Sequence, residues 1–234
     1  MRYVLTFAVI LCIAVPVSAD TFGDFLTDAF RFAHGALLFF DVLAAADYDS
    51  TAVRSFAVRS ISRTHGSYLT LGDVCDVWDA VAARWLYVED PLFAEYVAPA
   101  SESIALGFRG DCDDHAVLVA ASLRAIGAAA IVRIDYGTDD EPGHAHPMAY
   151  LGNVLDDPDG CADALAYVME RYGLQEIAYS ASPDGTLWLP MDWQAPGALP
   201  LGRRGESYRV GFAVPIYPLA AILDPSLMPA PSVP

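Results

Sequence analysis

The clearest pattern in the chain is a continuous apolar stretch that directly follows an acidic one. Ala, Val and Leu occupy nearly every position from Ala116 to Leu123. An α-helix that is apolar on all its faces is usually buried in a protein core. Gly127 stands where a helix commonly ends in the left-handed conformation. We therefore predict one buried helix over Cys112–Ile126.

Apolar spacing predicts further elements on both sides of this helix. From Leu71 to Val88 apolar residues recur at i, i+3 and i+4, which predicts a helix that ends before Pro91. A short helical turn with Ser101 as its N-cap is expected after Pro99. Alternating patterns predict strands after the buried helix. The predicted strands are Ala130–Gly137, His144–Gly152, Leu187–Trp193 and, as a strand or an ordered arm, Arg209–Pro218; the inserted helix is Ala162–Arg171.

The N-terminal residues differ from the rest of the chain. Arg2 precedes an almost unbroken apolar run, and residues 17–19 (VSA) are small residues at the spacing that signal peptidases recognise. We predict that residues 1–19 are a signal peptide, that the mature chain starts at Asp20, and that it works outside the cytoplasm. An uncleaved N-terminal anchor is the alternative. One or two helices are expected within Phe25–Ala46, whereas Ser50–Gly66 predicts no definite element.

Charge narrows the range of partners. The chain has 30 acidic residues against 13 basic ones, all of them Arg, which gives a net charge of −17. Such a surface repels nucleic acid and anionic lipid, so neither is an expected partner. A content of 55% hydrophobic residues is that of a globular protein.

Export changes the interpretation of the cysteines. Cys12 leaves with the signal peptide, and Cys75, Cys112 and Cys161 remain. In an oxidising compartment two of them tend to pair, and the third is then a candidate reactive thiol. Spacing does not choose among the three pairings, and three buried inert thiols are the alternative.

Cys112 has the sequence context of a nucleophile as well as that of a structural thiol. It starts the buried helix, where the helix dipole favours a thiolate. The neighbouring carboxylates of Asp111, Asp113 and Asp114 oppose a second negative charge, and they also suit the helix N-terminus as capping groups. A thiolate here needs an imidazole partner. His115, three residues later, and the strand pair His144 and His146 are the candidates.

Asp192 is the one charged residue in an aromatic and apolar strand. A carboxylate among Trp188, Met191 and Trp193 needs a polar partner, and orienting a histidine is the useful role. Hydrogen bonds from nearby backbone are the alternative.

The segments GDCDDHAVLVAASLRAIG, IVRI, GHAHPMAYLG and LWLPMDW together resemble the core of the transglutaminase-like superfamily, whose fold is similar to that of papain-like cysteine peptidases. The resemblance covers about residues 71–193. It implies an α+β fold in which a buried central helix packs on an antiparallel sheet. It also implies a catalytic core, which we place at 71–218. The apolar pattern before it predicts an N-terminal helical segment at 20–70, and the prolines near the end predict a Pro-rich tail at 219–234.

The resemblance implies a catalytic role for three residues. Cys112 takes the position of the nucleophile, His144 that of the general base and Asp192 that of the orienting acid. His146 and Met148 stand where the family generally has an aromatic residue and Glu, so His146 is a rival base. If a disulfide forms, it is expected between Cys75 and Cys161, because a nucleophilic Cys112 must stay free.

The implied reaction is acyl transfer on peptide or glutamine-type amide bonds of a protein or peptide substrate. The backbone N–H of Cys112 is the expected oxyanion donor, with Trp85 or Tyr87 as a second one. Hydrolysis by a peptidase or amidase is favoured over transamidation, and no cofactor is expected. A non-catalytic binding domain that keeps the fold is one alternative. A metal protein that uses His144 and His146 with nearby acids is another.

Overall fold

The structure is a computed structural model that describes residues 35–62, 68–91, 96–136, 143–193, 195–198 and 209–216. The chain divides into two compact units, residues 1–40 and 41–234. In the first unit the described residues, 35–40, are helical. The predicted signal peptide and the tail at 219–234 lie outside the described residues. Within the described part of the chain, no helix combines the length and apolarity needed to cross a bilayer.

The second unit is a mixed α and β structure. After helical residues 41–45 its helices are α1 (Thr51–Ser60), α2 (Leu71–Ala82), α3 (Ala100–Ala105), α4 (Cys112–Ala125) and α5 (Pro158–Tyr172). Its strands are β1 (Leu86–Tyr87), β2 (Arg109–Gly110), β3 (Ala130–Tyr136), β4 (His144–Asn153), β5 (Ser180–Ala181), β6 (Thr186–Pro190) and β7 (Arg209–Pro215).

The strands form one large antiparallel sheet and one small parallel pair. The large sheet has the order β5-β6-β4-β3-β7, and β1 pairs with β2. Met148 of β4 lies opposite Pro190 of β6, and these two strands run in opposite directions. The residues that follow β6 therefore lie beside the beginning of β4, where His144 is found.

Helix α4 is the centre of the fold. It packs on β3 and β4 and is also in contact with α1, α2 and α3. The side chains of Leu118 and Leu123 have no exposed surface, and full burial of such a side chain contributes about 1.5–3 kcal/mol. The expected α+β class with a buried central helix on an antiparallel sheet is confirmed.

The approach to α4 requires a glycine. The Asp114 carboxylate accepts hydrogen bonds from the backbone N–H groups of Ala98 (2.6 Å) and Asp111 (3.4 Å) at the helix N-terminus. A Cβ at Gly110 would lie 2.1 Å from Asp114 Oδ2, and the φ of Gly110 is +155°. Only glycine lets the chain pass this close before the helix begins.

The inserted helix α5 is tied to α2. Asp157 caps its first turn through the Gly160 N–H, and Gly173 ends it in the left-handed conformation. Arg171 near its end pairs with Asp76 and Asp79 of α2. The predicted insertion is therefore a helix that packs on the core, and it begins four residues earlier and ends one residue later than the predicted Ala162–Arg171.

Several predicted boundaries are wrong, and long-range pairing explains the largest error. Helix α2 ends at Ala82, and the chain then forms β1 because the N–H of Leu86 reaches the Phe108 carbonyl (2.8 Å). Helix α3 begins after Pro99, so Ser101 is inside it and is not its N-cap. Helix α1 was not predicted; the Ser50 side chain caps it through Val53 N–H.

The cysteines do not pair in the structure. Cys75, Cys112 and Cys161 are free thiols, so the expected disulfide between Cys75 and Cys161 is absent. Cys75 lies within α2, where its carbonyl accepts from the Tyr172 hydroxyl (3.5 Å). Cys161 lies in the first turn of α5 and packs against Gly152, where an added Cβ would approach its sulfur to 2.8 Å. The two thiols are thus buried against different neighbours.

Candidate active site

Cys112 is the first residue of α4 and is partly exposed. Burial raises the pKa of its thiol to about 12, the carboxylates of Asp111 and Asp113 act in the same direction, and a hydrogen bond from the Ala145 backbone N–H opposes them. The expectation that the helix N-terminus favours a thiolate is therefore outweighed in the resting protein. Because Ala145 directly follows His144, this hydrogen bond places the Cys112 sulfur beside the start of β4.

His144 and Asp192 form a short hydrogen bond. His144 Nε2 lies 2.8 Å from Asp192 Oδ2, and Asp192 also accepts the backbone N–H of Trp193 at Oδ1 (2.9 Å). Asp192 has no exposed surface. Burial alone would raise its pKa, but the bond and the charge of His144 outweigh it and hold the pKa below its ordinary value. The carboxylate is thus ionised at neutral pH.

The backbone beside Asp192 is held by an indole. Trp78 of α2 donates its Nε1–H to the carbonyls of both Met191 (2.9 Å) and Asp192 (3.0 Å) in the protein interior. The N–H of Met191 in turn bonds to the Pro147 carbonyl of β4 (2.8 Å). These bonds place the carboxylate opposite the start of β4. Sequence reasoning did not find Trp78, since only the fold brings it within reach.

His146 occupies a different environment from that of His144. The rings are stacked with centroids 5.7 Å apart, as expected for residues two apart on one strand. The His146 ring is buried, and its Nδ1 lies 4.0 Å from Asp135 Oδ2 on β3. Of the two strand histidines, His144 is the one beside Asp192.

His115 is enclosed by aromatic rings. It is fully buried, with its ring centroid 5.1 Å from that of Trp85 and 5.8 Å from that of Trp193. Burial lowers its pKa to about 4; the negative charge of Asp192 opposes this, and His144 adds to it. His115 is therefore a neutral core histidine behind the site.

Trp193 joins the aromatic residues of the site. Its ring packs edgewise on His144 (5.3 Å between centroids) and on Tyr87 of β1 (5.4 Å). The sequence contained a signal for this residue, since Trp193 directly follows Asp192.

The described residues contain one acidic cluster that could hold a metal ion. Within the described residues the group of three potential ligands is Asp111, Asp113 and Asp114, and both Asp114 oxygens already accept backbone hydrogen bonds. Neither His144 nor His146 belongs to it, and acids 139–141 lie outside the described residues.

Comparison with known proteins adds little. No family model matches the chain, and no curated protein matches it. A solved structure described as a putative cysteine protease from Cytophaga hutchinsonii is 20% identical over 43% of this chain, with a TM-score of 0.33. The chain spans about a third (33%) of the length of that protein. Similarity of this extent assigns neither a family nor an activity to this chain.

Proposed function

We propose that the protein is an exported cysteine-dependent acyl-transfer enzyme with a transglutaminase-like core of papain-like fold. It hydrolyses peptide or glutamine-type amide bonds with Cys112, His144 and Asp192. The observation that supports this most is the 2.8 Å contact between His144 and the buried Asp192. Ala145, the residue after His144, donates its backbone N–H to the Cys112 sulfur.

The reaction starts from a neutral thiol. Since burial keeps Cys112 protonated at rest, its proton moves to His144 as the sulfur attacks the substrate carbonyl carbon. Asp192 engages His144 Nε2, so Nδ1 receives that proton. The ionised Asp192 stabilises the imidazolium that forms.

Collapse of the tetrahedral intermediate breaks the C–N bond, and His144 gives the proton to the departing amine. Water, activated by the same imidazole, then attacks the thioester carbonyl. This releases the carboxylic acid and restores the Cys112 thiol.

Two donors are available to the oxyanion. The backbone N–H of Cys112 is one, because it lies at the N-terminus of α4. Trp85 is preferred to Tyr87 as the second, since its indole Nε1 is buried and has no hydrogen-bond partner within the described residues.

A non-catalytic peptide-binding domain is the second candidate. The raised pKa of Cys112 supports it, since a protonated thiol without proton transfer to His144 is a weak nucleophile.

The test combines labelling with activity. The chain from residue 20 is treated with iodoacetamide, the label is located by mass spectrometry, and hydrolysis of quenched peptides and ammonia release from a glutamine peptide are measured. We expect the label at Cys112, because Cys75 and Cys161 are buried. Cys112→Ala and His144→Ala should abolish hydrolysis, and Asp192→Asn should reduce it strongly.

Cys161→Ser is the matched control and should leave hydrolysis unchanged. His146→Ala should keep much of the activity; if it is inactive while His144→Ala is active, the base is His146. A folded protein that is labelled at Cys112 but cleaves no amide would be the binding domain.

A further inference from the structure

A short apolar strand lies exposed beside Cys112. Leu86, Tyr87 and Val88, here called the β1 edge, have exposed fractions of 55%, 49% and 45%. Leu86 and Val88 share one face of the strand and Tyr87 lies on the other, so both faces of this edge expose apolar surface that a partner can cover.

The β1 edge is continuous with the candidate active site. Tyr87 lies opposite Gly110 of β2, two residues before Cys112. Its ring contacts Trp193 at 5.4 Å between centroids, and Trp193 contacts His144 at 5.3 Å. The β1 edge therefore borders the segment that leads into Cys112 and the aromatic ring that contacts His144.

The backbone of the β1 edge can pair with another strand. The N–H of Leu86 bonds to the Phe108 carbonyl and that of Val88 to the Gly110 carbonyl, each at 2.8 Å. Backbone groups of successive strand residues point to opposite sides, so those of Tyr87 point away from β2. Among the described residues β1 pairs with β2 alone. This side of β1 suits the addition of an extended peptide.

Carboxylates surround the Tyr87 end of the β1 edge, whereas Arg84 and Arg109 lie near its Leu86 end. After burial and Cys112, the carboxylates of Asp111, Glu89 and Asp113 are what raises the pKa of Tyr87. Asp111 and Asp113 act on Cys112 in the same way. Arg109, the basic residue nearest in the strand pair, lies on β2 opposite Leu86 and so on the side away from the added strand. Such a potential attracts basic segments and repels acidic ones.

We infer that the substrate is an extended polypeptide segment that pairs with the β1 edge, with apolar side chains against this edge and Arg or Lys residues beside Glu89, Asp111 and Asp113. This inference rests on the proposed function for the bond that is cleaved. Binding of the segment to the β1 edge does not depend on that function.

Binding is tested with inactive protein. Cys112→Ala is titrated with a fluorescein-labelled peptide of Val, Leu and Gln flanked by Arg, with the same core flanked by Glu, and with the Arg peptide N-methylated along its core. We expect the Arg peptide to bind at least about tenfold more tightly than the Glu peptide, with affinity that falls as salt is added. N-methylation should weaken binding because it removes the donors of an added strand.

A matched pair of variants locates the charge. In the Cys112→Ala background, Glu89→Gln should weaken binding of the Arg peptide by about two- to fivefold. Glu176→Gln removes an exposed carboxylate after α5 and should change nothing. Equal affinity for the Arg and Glu peptides, no effect of N-methylation, or no binding would each overturn the inference.

The two proposals fail separately. Cys112-dependent hydrolysis without preference for basic peptides would support the proposed function and contradict the inferred substrate class. Binding as expected, with no hydrolysis by the unmodified protein, would support the inferred recognition surface and contradict the proposed enzymatic function.

Discussion

His115 is a fully buried imidazole between two tryptophan rings. Neither of its ring nitrogens has a hydrogen-bond partner among the described residues. Burial lowers its pKa to about 4, whereas a histidine in an unfolded chain titrates near 6.5. As the pH falls from about 6.5 to 4, the unfolded chain takes up a proton that the folded protein does not.

Replacement of His115 by Phe should therefore make the protein less sensitive to acid. The wild-type protein loses on the order of 3 kcal/mol of stability at this residue across that window, and His115→Phe keeps a ring but not the titration. Urea unfolding at a series of pH values from 7 to 4 measures the difference. An unchanged pH dependence would contradict the assignment of His115 as a neutral core residue.

Titration of Asp114 changes stability with pH in the opposite direction to that of His115, and it occurs in both the wild-type protein and His115→Phe. Burial raises its pKa to about 6, helped by Asp111 and opposed by the backbone N–H of Ala98. Its folded pKa is above the unfolded value, so its contribution falls as the pH rises from about 4 to 6. It cancels when His115→Phe is compared with the wild-type protein.

At the scale of elements, Trp78 couples helix α2 to the segment after β6. Its indole N–H donates to the carbonyls of both Met191 and Asp192, and its ring packs on Tyr172 at the end of α5 (5.6 Å between centroids). Trp78 thus positions the backbone of Asp192 in the candidate active site.

Removal of this donor should affect turnover more than binding. Trp78→Phe keeps the packing but frees two buried carbonyls, so the Asp192 backbone is held less well. We expect kcat to fall about tenfold with little change in KM, measured on the quenched peptide. Trp188→Phe, in β6 itself, is the control and should leave kcat unchanged. Equal effects of both variants would show that Trp78 acts through general stability alone.

The sequence predicts best those elements in which most residues are buried or the end is marked by a local signal. Helix α4 matches the expected range almost to the residue, because its apolar run and Gly127 are local signals. Strand β4 is one residue longer than predicted. Strand β1 was missed because Trp85 continues the helical spacing of α2, while the bonds that form β1 come from Phe108 and Gly110.

The site was predictable only in part for the same reason. The motif resemblance pointed to His144 and Asp192, which are in contact in the structure, although their catalytic roles stay predictions. The state of the Cys112 thiol was misjudged: a helix N-terminus is visible in a sequence, whereas the burial that raises its pKa is not. The support from Trp78 needed the fold as well.

At the scale of the whole molecule, the sheet joins segments that are distant in the chain. Strands β3 and β4 come before α5, whereas β5, β6 and β7 come after it, and the sheet order places β4 and β3 between β6 and β7. The connection between them begins with the turn at 154–156, where Leu155 is 73% exposed. The turn is thus accessible to a protease, and the segments before and after it are in extensive contact with each other.

This arrangement should tolerate a break in the chain. A protease that cuts after Leu155 yields one fragment with Cys112 and His144 and a second fragment with Asp192. The pairings of β4 with β6 and β3 with β7, and the ion pairs of Arg171 with α2, cross the break. We expect the fragments to separate under denaturing conditions, to elute together in native gel filtration and to keep most of the activity. Separate elution would contradict this. Joint elution with retained hydrolysis would mean that two polypeptides complement each other, one carrying Cys112 and His144 and the other Asp192.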